Sequence, residues 1–169
     1  MNREPKLGLV SSLAVAACGC LANVPPPSDK AAHVERAQCE TAADPGADAH
    51  LLASAKVVGF EPVHSHFLTG RSNSEDRVTG AKLLLRPPDG FTAEKLTRVL
   101  QCHSARALLG QVDAGVVAND PYWLPGAWLD IDVVPEQGNF AVTLHAAEIR
   151  DNLLVLARAE AFARAHRIY

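Results

Sequence analysis

The chain has 169 residues and a mass of 18.0 kDa, enough for one domain with an extension and too little for two ordinary domains and a linker. Hydrophobic residues are 48% and charged residues 21%, so most of the chain can bury a core and a disordered protein is excluded. With 16 Lys and Arg against 19 Asp and Glu the net charge is -3, which sets nucleic acid aside as a general partner, because such binders present a basic surface.

Residues 1–17 have the layout of an export signal. Arg3 and Lys6 make a basic start, partly offset by Glu4, and Leu7 to Ala17 form an apolar run broken only by Ser11 and Ser12. As a helix that run spans roughly 16 Å, about half of a bilayer's hydrocarbon core, so it reads as a processed signal rather than a stable span. It ends in Val15-Ala16-Ala17-Cys18. Here the sequence resembles the bacterial lipoprotein family, whose lipobox closes on small residues and a cysteine. The resemblance covers only the first 20 or so residues. It implies a diacylglyceryl group on Cys18, cleavage after Ala17 by signal peptidase II, and acylation of the new amino terminus. The alternative is ordinary secretion, since small residues before Cys18 also suit signal peptidase I. Two or three acyl chains hold a protein stably on a membrane, so the expectation is a domain tethered on the periplasmic side or at the cell surface without spanning. Gly19 is not the Asp that retains such proteins in the inner membrane of enteric bacteria, which favours the outer membrane.

Residues 18–50 read as a tether. Pro25-Pro26-Pro27 begins a stiff spacer, and Val34 to Ala42 offers only a small apolar face for a short helix. The folded unit is expected over 51–169. Its first strands are predicted at 55–68 and 78–86, separated by the polar stretch Gly70 to Asp76, and Pro62 makes the earlier one an edge or bulged strand. A helix follows over 93–109. Thr92 is its N-cap, Phe91 and Leu96 stand where a hydrophobic staple needs them, and Gly110 is placed to end it. Leu96, Val99, Leu100, His103 and Ala107 share one face at helical spacing. Downstream, Leu129, Ile131 and Val133 alternate with polar residues, as do Phe140, Val142 and Leu144. Gly138-Asn139 suits a two-residue turn between them, a register that sets Val133 opposite Leu144 and Asp132 opposite His145. A last helix is predicted over 148–165. The expected class is α+β: a small antiparallel sheet of about four strands with two helices on one face, in the order ββαββα, with a ferredoxin-like βαββα core as the alternative.

Export places the remaining cysteines in an oxidising compartment. Cys39 and Cys102, 63 positions apart, are the expected pair, and their bridge would remove about 4 kcal/mol of chain entropy from the unfolded state. The other possibility is a buried, reduced Cys102 with Cys39 free. Cys20 stays unpaired near the lipid. His64 and His66 stand at i and i+2 on a strand and point to one face; with His103 they make a candidate zinc or copper site. Against it, the chain has no CxxC pair and no HExxH, and a lone His on an apolar helix face is more often a core residue.

No triad, nucleophile elbow or phosphate loop is readable, so no catalytic residue is named. Asn119 to Trp128 carries Tyr122, Trp123 and Trp128 in a chain only 5% aromatic; this is a candidate binding loop for an envelope protein or a small ligand, or else a stiff crossover covering the end of the core. The function expected from sequence is therefore a lipid-anchored envelope protein whose domain binds or scaffolds, with no cofactor beyond the covalent lipid. A periplasmic metal-binding protein and a hydrolytic enzyme with an unrecognised site are the alternatives. The rest of the chain resembles, loosely, uncharacterised bacterial lipoproteins with a similar Cys-His helix and Pro-rich aromatic loop, a likeness that carries no function with it.

Overall fold

A computed structural model describes residues 25–39, 51–52, 54–68, 74–112 and 119–168. The signal and Cys18 lie outside them. In chain order the elements are α1 (Pro27–Val34), continued by a π-helical stretch over Glu35–Cys39, β1 (Val57–Leu68), β2 (Ser74–Leu85), α2 (Ala93–Leu108), β3 (Leu129–Glu136), β4 (Asn139–Ala146) and α3 (Ile149–His166). The strands form one open antiparallel sheet in the order β1-β2-β4-β3. Among the described residues no helix is long and apolar enough to cross a membrane.

Local chemistry sets the ends of α2. The Thr92 hydroxyl accepts from the Lys95 amide at 3.2 Å, satisfying a donor that the first turn leaves free. At the other end Gly110 has φ +70°, and the Gln111 and Gly110 amides donate back to the carbonyls of Arg106 and Ala107. That pair of bonds is a Schellman motif. Pro62 lies on β1, which is indeed an edge strand, and the ladder with β2 is irregular at Val57/Gly59 and Val63/His64.

The alternation in the strands sends Leu83 and Leu85 of β2, Leu129, Ile131 and Val133 of β3, and Phe140, Val142 and Leu144 of β4 into one apolar cluster. Leu96 and Leu100 of α2 and Val155, Ala159 and Phe162 of α3 belong to the same cluster. The buried Asn152 joins α3 to the sheet. Its Oδ1 accepts from the Ala146 amide at 2.7 Å and its Nδ2 donates to the Ala146 carbonyl at 2.9 Å, so one side chain completes the last rung of β4.

The β3–β4 hairpin corrects the expected register. Glu136 pairs with Asn139, so the loop is Gln137-Gly138, and Val133 lies opposite Val142. Gln137 and Gly138 both have positive φ, +51° and +78°, which a type I′ turn requires and a Gly-first turn does not. The shift is two residues, which leaves every side chain on the face the pattern assigned it. It does change partners. Asp132 faces Thr143 rather than His145, and the His145 imidazole turns to β2, where Nδ1 donates to the Thr79 carbonyl at 2.7 Å.

That imidazole crosses the backbone of Gly80. A Cβ at Gly80 would stand 2.1 Å from the Leu144 carbonyl oxygen and 2.7 Å from His145 Nδ1. Gly138 instead has open space around it and only its φ to satisfy. We expect Gly80→Ala to cost about 3 kcal/mol or more, because β4 must move. Gly138→Ala should cost about 1 kcal/mol, for backbone conformation alone. Urea denaturation of both variants checks the order, which reverses if β2 and β4 are not this close.

Candidate functional site

Two polar constellations meet on the second half of α2. The first fastens the segment before the sheet. Pro27–Cys39 falls within the stretch read as a tether, yet it is helical and packs on α2. Cys39 and Cys102 form a disulfide with Cα atoms 5.6 Å apart. Around it Ala31, Val34 and Ala105 make a second, smaller apolar cluster, with Leu108, Leu109 and Trp128 against it.

Polar contacts extend the attachment in both directions. Arg106 Nη2 donates to the Cys39 carbonyl at 3.2 Å, and its Nε lies 3.8 Å from a Glu35 carboxylate oxygen. Lys30 Nζ donates to Asp130 Oδ1 at 2.9 Å and sits 5.2 Å from the centre of the Trp128 ring, whose Nε1 donates to the same oxygen at 3.0 Å. Ordering a backbone costs on the order of 1 kcal/mol per residue. This stretch offsets it with few buried apolar groups, Ala31, Val34 and Cys39, and the covalent bond adds to the polar contacts that keep it there.

The second constellation holds the aromatic loop. His103 Nε2 is hydrogen-bonded to Asp120 Oδ2, and both side chains are at most one-tenth exposed. The other carboxylate oxygen accepts from the Tyr122 amide at 2.8 Å, an Asx-type turn that Pro121 helps to preset. From α3, Arg158 Nη1 donates to the Trp123 carbonyl at 2.8 Å, while its guanidinium lies 5.5 Å from the centre of the Trp123 ring. Leu124-Pro125-Gly126-Ala127 then turns with Gly126 at φ +73°, where a type II turn calls for glycine.

The rings of this loop point inward. Tyr122 is fully buried and meets Phe162 edge-on, with centroids 5.6 Å apart. Burial, reinforced by the Asp120 carboxylate, pushes the Tyr122 phenol far above its usual range, so it stays protonated. Its hydroxyl and the Trp123 Nε1 are buried without a hydrogen-bond partner among the described residues. Trp128 is half-buried against the disulfide cluster.

The three candidate metal ligands are not brought together. His64 and His66 are exposed on β1, opposite Val78 and Asp76, and His66 Nδ1 lies 3.7 Å from Asp76 Oδ1. His103 is buried on α2 and taken up by Asp120. Among the described residues no group of three or more His, Cys, Asp or Glu could hold a metal ion.

Cavities occur elsewhere. One of about 570 Å³ is polar and lies between the π-helical stretch, α2 and β3, lined by Gln38, Arg98, Gln101 and Asp132 among others. Another of about 310 Å³ lies between β1 and α3, lined by Val57, Phe60 and Ala163 with Arg164 and Arg167. Neither includes His103 or Asp120. Sequence reasoning missed Asp120, Arg158 and Asn152, although the Asn-Asp-Pro order at 119–121 carried the signal of an Asx turn. No family model matches the chain, and no curated protein or solved structure proved similar to it.

Removing one partner of a buried hydrogen bond costs about 1–3 kcal/mol, more where a charged group is left unsatisfied. Asp120→Ala is therefore expected to destabilise the protein by about 3 kcal/mol, since the Tyr122 amide loses its acceptor as well. The double variant His103→Leu/Asp120→Leu should lose less than the two single variants together. Equilibrium urea unfolding measures both. A loss below about 0.5 kcal/mol for Asp120→Ala would show that the pair carries no stability.

Proposed function

We propose that the chain is a lipid-anchored protein of the bacterial cell envelope whose domain binds or scaffolds and does not catalyse. The observation that carries the reading is the buried Cys39–Cys102 disulfide. Such a bridge persists in an oxidising compartment, and the lipobox at Val15-Ala16-Ala17-Cys18 would deliver the chain to one. A structural role for the buried polar groups supports the second half of the proposal. His103 is engaged by Asp120, and Asp120 in turn holds the Tyr122 amide. Neither lines the two cavities described above.

Within this reading the body is a ββαββα unit with α2 and α3 on one face of the sheet. The apolar cluster shared by both helices and the strands supports that arrangement. The strand order, with β4 between β2 and β3, is that of a split β-α-β unit and favours the ferredoxin-like alternative. Many functions use such a body, so the fold adds no activity.

Labelling in the bacterium with a clickable fatty acid tests the anchor. The wild-type chain should take up label and fractionate with membranes, and Cys18→Ser should lose the label entirely and accumulate as an uncleaved precursor. Label surviving in Cys18→Ser removes the anchor from the proposal.

A further inference from the structure

The segment between the proposed anchor and the sheet is half committed to the domain. From Cys18 to Pro27 there are nine residues, and the chain from Pro27 to Cys39 is already folded onto α2. Nine residues reach at most about 30 Å when fully extended, whereas the whole stretch 18–50 would reach about 110 Å. The attachment is made at several points along α1. Lys30 is bound to Asp130 near its start, Ala31 and Val34 are buried along it, and the disulfide closes its end.

We infer that α1, locked onto α2 by Cys39–Cys102, acts as a length-setting strap that holds the domain close against the membrane instead of letting it range on a long tether. This rests on the lipoprotein reading above. The surface beside the start of α1, with Lys30, Trp128 and Asp130, is then the side turned toward the lipid. The lock is covalent because the strap buries too little to hold by packing alone. Partners reached by the domain would be those lying at the membrane surface.

Energy transfer in vesicles tests this. Full-length protein purified from membranes carries a donor on a clickable amino acid in place of exposed Asp132, and the vesicles carry a headgroup-labelled acceptor. Inserting about 60 Gly/Ser residues between Val24 and Pro25 adds a mean reach of about 40 Å, and transfer should fall by roughly half from the wild-type value. Equal transfer in the two proteins overturns the strap. Cys39→Ser/Cys102→Ser should move toward the insertion variant while its melting transition shows a folded body; transfer unchanged from wild type overturns the lock. The fatty-acid label is read on the same preparations. Its absence overturns the lipoprotein reading and the strap with it, whereas label with equal transfer overturns the strap alone.

Discussion

Cys102 sits in a run of α2 whose side chains are tied, nearly one by one, to different parts of the chain. It holds the segment before the sheet through the disulfide, while His103 next to it holds the loop after α2 through Asp120. Gln101 Nε2 donates to the Ile131 carbonyl of β3, and Arg106 reaches the Cys39 carbonyl. Successive helix residues are about 100° apart, so a helix can serve that many partners only if it is enclosed on nearly all sides. This one is: Cys102 through Arg106 are all buried. An ordinary surface helix keeps one polar face in water. Here the polar groups on the back of the helix are used as fasteners, and each needs its partner because burial would otherwise leave it unsatisfied.

What could be read in the sequence follows from the range of the forces involved. The ends of α2 were legible because Thr92 and Gly110 act on backbone groups a few residues away. The inward faces of β3 and β4 were legible because a period of two survives whatever the strand pairs with. The register was not, since a slip of two residues preserves that period. Only the backbone at Gln137 and Gly138 distinguishes the two alignments, and Gly138 stands second in its turn rather than first. The helix at Pro27 was hidden for a different reason. Its apolar face is Ala31 and Val34, too little to signal packing, and its attachment includes a covalent bond to a residue 63 positions on. His103 shows the same limit at the candidate site. Its face on the helix predicted burial correctly, but its partner Asp120 is reached through a loop, and no spacing rule connects the two.

The aromatic loop is placed by contacts that composition does not reveal. Two tryptophans and a tyrosine stand within seven residues, and the loop is held from both ends by polar side chains of two helices. Asp120 is drawn to α2 by His103, and the Trp123 carbonyl is drawn to α3 by Arg158. With its ends fixed on two helices, the loop between them has to pass over the end of the core, and large rings fill that space. Tyr122 is there as volume against Phe162, and its hydroxyl takes no part in a bond among the described residues.

The contacts that fasten α2 to its neighbours also shape the surface beside it. The polar groove of about 570 Å³ is such a surface, because it has walls from three elements that are far apart in sequence. Ala37 and Gln38 form one wall, Arg98 and Gln101 of α2 the second, and Asp132 of β3 the third. The first wall belongs to the stretch that the Cys39–Cys102 bond joins to α2. The bridge that helps to place the α1 segment therefore also bounds the groove on that side. The place of the α1 segment and the shape of the groove thus share one covalent link, and such a link persists only under oxidising conditions.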